Sequence, residues 1–372
     1  MARAEGDIAA TAEDRPSAYD AVLLVSFGGP DGPEDVIPFL ENVLRGRNVP
    51  RERMLEVAEH YHHFGGKSPI NEQNLALLAA LRAELARRGP HLPVYWGNRN
   101  WHPLLTDTVR EMADAGVKRA IAFVTSGFSS YSGCRQYREN IAAACAAVGD
   151  RAPQIDKIRV FFNHPGFVNP MAANVRRALG HFPADERPHV PVLFTAHSIP
   201  TSMSDGCRYV PQLVESCRLV AAAAAAGSHR LVFQSRSGPP TQPWLEPDIC
   251  DAIRELHAGG IRRLVIAPIG FISDHMEVLY DLDTEAAELC RELGVDMVRA
   301  DTVGVAPEFV SMVRDLIAER AWSLPERAAI GCLPANHDVC PVDCCPAPQR
   351  PGAGGPPGGG RPAAAGDVAR RP

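Results

Sequence analysis

An α/β fold built from two doubly wound halves with parallel sheets follows from three features of this sequence. Short apolar runs alternate with amphipathic stretches along nearly the whole body of the chain. That order is the signature of strand–helix–strand units whose strands pair in parallel, with helices on both faces. At 372 residues the chain has room for two cores, because one domain uses roughly 100 to 200 residues. Hydrophobic residues make up 45% of the chain and aromatic ones only 6%, so both cores are filled mainly by Ala, Val, Leu and Ile. One closed eight-stranded barrel is the competing arrangement, and the irregular spacing of the runs argues against it. The expectation is two Rossmann-like domains with a cleft between them.

The elements follow in order. Residues 1–18 lack periodicity and are expected to form a disordered leader. Buried strands are predicted at 21–25, 94–97, 120–124, 159–162, 190–194, 231–234, 264–268 and 297–300. Helical spacing appears at 34–44, 75–88, 104–115, 135–148, 171–179, 212–225, 248–257, 276–293 and 307–321. The first domain is assigned to 19–153, with the break near Pro153, and the second to 154–305. Residues 306–345 then supply a helix that returns to the first domain and a cysteine-rich segment, and 346–372, dominated by Pro, Gly and Ala, is expected to be a disordered tail.

Composition excludes several classes of function. With 38 Lys+Arg against 44 Asp+Glu the formal net charge is -6, which gives no broad footprint for nucleic acid. The longest apolar run, 220–226, falls far short of a membrane span. No secretory signal is visible among the polar, acidic first residues, so a cytoplasmic protein is expected. In a reducing compartment the ten cysteines are thiols, metal ligands or catalytic groups before they are disulfides.

In doubly wound folds ligands bind beyond the carboxyl ends of the strands, so the residues there carry the functional reading. Ser26-Phe27-Gly28-Gly29-Pro30 follows the first strand; its glycines allow close backbone approach to a ligand or merely make a tight turn. Arg45 and Arg47 offer guanidiniums suited to carboxylate or phosphate, or a solvated helix end. Ser68 lies in Gly65-Gly66-Lys67-Ser68-Pro69 and can also serve as a helix cap. His197 ends the fifth strand in Ala196-His197-Ser198-Ile199-Pro200, where an imidazole can take a proton near neutral pH or bind a metal. Glu277, Asp281 and Glu285 recur every fourth residue and form one acidic stripe on a helix. Like charges at that spacing destabilise a helix; a solvated face or a path for hard cations is the alternative explanation. Finally, Cys332, Cys340, Cys344 and Cys345 crowd one segment without the paired Cys-x2-Cys of zinc ribbons. A thiolate-bound iron–sulfur cluster tolerates such spacing, with three ligands from this segment and one from elsewhere, such as Cys134.

Taken together and in this order, Val25 to Pro30, Gly65 to Pro69, Ala196 to Pro200, Gly238-Pro239-Pro240 with Pro243-Trp244-Leu245, and Asp274-His275-Met276-Glu277-Val278-Leu279-Tyr280-Asp281 resemble the ferrochelatase family. The resemblance covers roughly residues 20–345. It implies a chelatase-type fold and insertion of Fe2+ into a porphyrin with loss of two pyrrole protons. Tyr131 to Tyr137 and the C-terminal cysteines are most similar to the actinobacterial branch, which implies coproporphyrin III as substrate and a [2Fe-2S] cluster. By the same resemblance, His197 acts as base or iron ligand, Glu277 assists across the cleft, and Asp281 and Glu285 form the outer metal route. Arg45, Ser68 and Tyr137 hold the substrate propionates or line the pocket. The cluster ligands implied are Cys134, Cys332, Cys340 and Cys345, with Cys345 placed ahead of Cys344.

One departure bears on the product. Several related bacterial enzymes have a tyrosine able to ligate the product iron where this chain has Phe27, which carries no donor atom. Other readings kept open are a protoporphyrin IX ferrochelatase, a cobalt or nickel chelatase of the same fold, and a haem carrier without turnover. A monomer is expected.

Overall fold

The computed structural model describes residues 17–46, 49–238 and 241–347. Arg47 of the basic loop, Pro239 and Pro240, the leader to residue 16 and the tail from residue 348 lie outside the described residues. The first sheet contains β1 (Ala21–Ser26), β2 (Val94–Asn98), β3 (Arg119–Val124) and β4 (Gln154–Lys157); the second contains β5 (Pro191–His197), β6 (Ser228–Gln234), β7 (Arg263–Ala267) and β8 (Asp296–Arg299). All strand pairs are parallel, in the orders β2-β1-β3-β4 and β6-β5-β7-β8. The two orders are the same, so each sheet reverses direction between its first and third strands. That is where a crevice opens beyond the carboxyl ends.

Side chains alternate along each strand, and both faces of the central strands are covered. Val22, Leu24 and Phe123 on the first sheet and Val192, Phe194 and Val265 on the second belong to one continuous core. The opposite faces pack separately, around Leu23 and Val25 in the first sheet and around Leu193 and Ile266 in the second. The helix Pro307–Ala321 contributes Phe309, Val313 and Leu316 to the shared core. Arg314 in that helix donates to the carbonyls of Gly89 at 2.7 Å and Arg88 at 2.6 Å, which ties it to the end of the Ile70–Arg88 helix.

Two expectations need correction. The apolar run 159–162 is not a strand; the fourth strand is the earlier and more polar β4, which lies at the sheet edge with Gln154 exposed and its other residues half-buried. The apolar run is buried for another reason. Phe161 and Phe162 sit in the shared core, while Arg159 leaves the sheet to meet Glu319 through two hydrogen bonds of 2.9 and 3.0 Å. Sequence periodicity also missed the helix Arg51–His63, whose only buried residues are Met54 and Ala58. With the helix Val36–Leu44 it forms a separate small cluster around Phe39. His60 of this cap stacks on Tyr280 at 3.6 Å, across to the second half of the chain. Among the described residues no helix is long and apolar enough to cross a membrane.

Candidate active site

His197 is the last residue of β5, an otherwise fully buried strand, so the fold pushes its ring out at the crevice. Its backbone is fixed by the Tyr209 hydroxyl, which donates to the His197 carbonyl at 3.0 Å. Ring nitrogen Nδ1 lies against the Ser198 carbonyl oxygen. A carbonyl only accepts, so Nδ1 carries hydrogen and Nε2 is the nitrogen presented to the cleft. It lies 3.4 Å from Glu277 Oε1, and the two side chains are 30% and 46% exposed. Burial alone would depress the imidazole, but the Glu277 carboxylate outweighs it and lifts His197 to about 9. Reciprocally, removal from water would raise Glu277, yet the facing imidazolium holds it down at about 2. At neutral pH the pair is therefore imidazolium and carboxylate. His275 completes the group, with Nδ1 3.9 Å from Glu277 Oε2, and burial keeps it below the ordinary imidazole value.

The acidic stripe lies on the helical stretch 276–293, but not as an unbroken α-helix. Met276–Tyr280 and Ala287–Leu293 are α-helical, and Asp281–Ala286 between them is a wider π-type turn. Such turns are costly and recur at functional sites. Asp281 is fixed beneath Glu277 by the end of β6: Gln234 Nε2 donates to the Glu277 carbonyl at 2.9 Å and to Asp281 Oδ2 at 3.3 Å. Ser235, whose φ of 61° is in the left-handed region, turns its hydroxyl onto the same oxygen. Burial raises Asp281 to about 7 in spite of that hydroxyl, with Glu277 and Glu285 adding to the rise. Glu285 is also raised, by burial and by Asp248 and Glu288. The loop before the stripe is held at Asp274, which takes Arg299 at 3.3 Å and whose amide donates to Gln73 Oε1 at 2.9 Å.

The opposite wall comes from the first sheet. Phe27 follows β1, is 36% exposed, and packs edge-on against Phe39 of the cap. Arg99, just past β2, places its guanidinium 5.6 Å from the Phe27 ring and 4.4 Å from the Tyr137 ring. Tyr137 is buried in the same place, and burial raises its phenol. Ser68 is buried as well, its Oγ 3.4 Å from the Ile70 amide at the start of a helix and its Cβ so close to Gly29 that no side chain fits there. Arg45 is exposed at the end of Val36–Leu44. Sequence reading thus missed Arg99, Gln234, Ser235 and Tyr209. Three of these end a strand or directly follow one, where the rule that found His197 applies equally.

The cysteine segment is pinned across both halves. Asn163 accepts the Ile330 amide at 3.0 Å and donates to the Leu333 carbonyl at 2.7 Å, and Gln212 reaches Ser129 and Asn336. Cys134, in a π-type turn after β3, lies in the core against which Cys340 packs, and Cys340 and Cys345 favour its thiolate and are themselves pushed up. Cys344 lies 3.6 Å from Cys345, sulfur to sulfur. Cys332 faces elsewhere: its amide and thiol donate to Glu215 at 2.7 and 3.3 Å. Hydrogen bonds from Arg218 hold Glu215 down at about 2. Gly331 is required beside it, since a Cβ there would lie 2.0 Å from Glu215 Oε1.

The family model that matches this chain is Ferrochelatase, over residues 19–321. A protein named ferrochelatase from Rhodopirellula baltica is 60% identical over 90% of this chain and 95% of its own length. Coproporphyrin III ferrochelatase from Streptomyces coelicolor is 54% identical over 91% and 96% respectively. Among solved structures, SirB from Bacillus subtilis superposes with a TM-score of 0.51 at 11% identity, covering 82% of this chain and 96% of that one, a likeness of fold alone. On the match of family model and relatives, the chain belongs to the ferrochelatase family.

Proposed function

We propose that this protein inserts Fe2+ into coproporphyrin III to give iron coproporphyrin III for haem synthesis. The observation that carries the reading is the His197–Glu277 pair at the crevice, backed by Asp281 on its clamp of Gln234 and Ser235. A free-base porphyrin hides its nitrogen lone pairs behind two N–H groups, so insertion needs a positioned base and partly dehydrated iron. Before metal arrives, His197 keeps its proton because Glu277 is charged. Fe2+ held at Glu277 cancels that charge. Burial then dominates, the imidazolium passes its Nε2 proton to solvent at the exposed side of the cleft, and the freed Nε2 becomes the base for a pyrrole proton or a ligand for the iron. Asp281 and Glu285 lie behind Glu277 as the metal's route from solvent, with Asp281 able to exchange protons near neutrality.

Arg99 joins Arg45, Ser68 and Tyr137 on the substrate side, with Phe27 facing the macrocycle. Relatives named coproporphyrin III ferrochelatase support the tetracarboxylate as substrate. Steady-state kinetics with coproporphyrin III and protoporphyrin IX side by side test it. The expected result is a kcat/KM higher by about tenfold or more for coproporphyrin, since one additional charge-assisted contact is worth roughly 1.5–3 kcal/mol. Equal values, or faster turnover of cobalt with sirohydrochlorin, would sink this reading.

A [2Fe-2S] cluster is part of the same proposal. Thiolates are the donors it needs, and Cys134, Cys340 and Cys345 meet in one group; Cys332 joins as the fourth once its thiol leaves Glu215. When bound, the cluster supplies a covalent tie between the cysteine segment and the turn after β3 and a centre that responds to oxidation. Cys134→Ser removes the buried thiol contributed by the turn after β3. Purified wild-type protein is expected to be reddish brown with iron and sulfide beyond trace levels, and the variant colourless; a colourless, active wild type contradicts the cluster.

A further inference from the structure

With Cys332 on Glu215, the donors left beside Cys340 are not all thiols. The side chains of His337, Cys340 and Cys344 offer one nitrogen and two sulfurs, all within 4.8 Å of one another. His337 Nε2 lies 3.8 Å from Cys344 Sγ, and Cys345 Sγ lies 3.6 Å from it on another side. Zinc bonds of about 2.0–2.1 Å to nitrogen and 2.3 Å to sulfur in a tetrahedron place donors about 3.5–3.8 Å apart. The His337–Cys344 edge of the group already has about that length. The third donor, Cys340, lies within 4.8 Å of both and needs to draw in by no more than about one ångström to complete the set.

The fold holds these donors in place without help from the thiols themselves. Asp338, next to His337, is engaged by Arg327 and by Arg320 at 3.9 Å. The Cys344 amide donates to the Pro341 carbonyl at 3.1 Å, a turn that carries Cys344 back toward His337. A cavity of about 390 Å³ has His337 and Cys340 on its wall, which gives an ion a path from solvent. His337 is exposed and Cys340 and Cys344 are half-buried.

We infer that His337, Cys340 and Cys344 form a three-donor site for one tetrahedral divalent ion of the zinc type, its fourth position open to solvent. The inference rests on the cluster reading in one respect only: both occupants need Cys340, so they exclude each other. Zinc on His337 would keep Cys332 on Glu215 and block assembly of the four-thiolate cluster. Mixed nitrogen and sulfur donors in this number select zinc over the hard cations that the acidic stripe suits.

The test uses the full chain, freed of metal under anaerobic reducing conditions and titrated with Co2+. Wild type is expected to bind one equivalent with thiolate-to-cobalt charge transfer and intense tetrahedral bands, signals that carboxylates of the stripe do not produce. H337A and C344S should each weaken binding by about tenfold or more, because loss of a ligand costs at least what loss of its supporting partner does. Zn2+ should displace the cobalt and suppress cluster reconstitution with iron and sulfide in wild type but not in H337A. Unchanged cobalt affinity in H337A, or no charge-transfer band in wild type, overturns the site. Failure of wild type to take up any cluster in the absence of zinc overturns the cluster reading instead and leaves the cobalt result standing.

Discussion

His197→Ala is expected to abolish iron insertion while leaving porphyrin binding measurable. On the proposed reading the side chain removed is the general base of the His197–Glu277 pair, and general base catalysis alone is worth about 10²–10⁴-fold. Loss of a metal ligand adds to this, so a fall in kcat of about 10³-fold or more is expected. Porphyrin affinity should change far less, since the wall made by Phe27, Arg99 and Tyr137 stands on the other sheet. The variant should also fold: the strand is held by its backbone ladder, and the Tyr209 hydroxyl bonds the His197 carbonyl, which alanine retains. Single-turnover assays with Fe2+, alongside porphyrin fluorescence titrations, separate the two effects. Near-normal turnover would remove His197 from the reaction.

Why His197 and Glu277 were legible in the sequence, and their supports were not, is a matter of range. The apolar run into Ala196-His197 announces a buried strand with a titratable side chain at its end, and the fourfold spacing of Glu277, Asp281 and Glu285 is a local pattern. Gln234 acquires its role only because β6 pairs with β5 in a register that sets it beside His197. Nothing near position 234 in the chain states that pairing. Arg99 likewise becomes the cation on Phe27 and Tyr137 only once β2 lies beside β1. The same distinction explains the misread fourth strand. Burial of Phe161 and Phe162 comes from the contact between the two halves and the returning helix, and an apolar run cannot say which surface buries it. At Ser68 the sequence left a ligand role and a helix-start role open; the structure shows the residue buried against Gly29 with its Oγ 3.4 Å from the Ile70 amide, a pairing that no local pattern around position 68 announces. The widening at Asp281–Ala286 had no sequence mark at all, since the i, i+4 pattern is compatible with a regular helix.

Glu277→Gln tests the coupling between the metal position and the base. The substitution keeps size and an oxygen facing His197 but removes the charge that opposes burial of the imidazole. His197 should then fall from about 9 to below the ordinary histidine value and be neutral at pH 7. Turnover should nevertheless drop by about 10²-fold or more, because the neutral base faces a cleft that has lost its first carboxylate for Fe2+. Histidine side-chain NMR across pH 5–10 reads the titration directly. The sign of the stability change is also fixed. In wild type the raised imidazole gives stability that is complete below about 6.5 and lost as pH rises through about 9, and the depressed Glu277 gives stability lost as pH falls from about 4.5 toward 2. The variant lacks both, but with side chains 30% and 46% exposed the pair is screened and is worth only about 1 kcal/mol at most. An effect that small cannot account for a hundredfold loss of turnover, so the activity change reports chemistry and not unfolding. If His197 still titrates near 9 in the variant, the Ser198 carbonyl and Asp281 hold its proton, and the release of the base by iron at Glu277 is wrong.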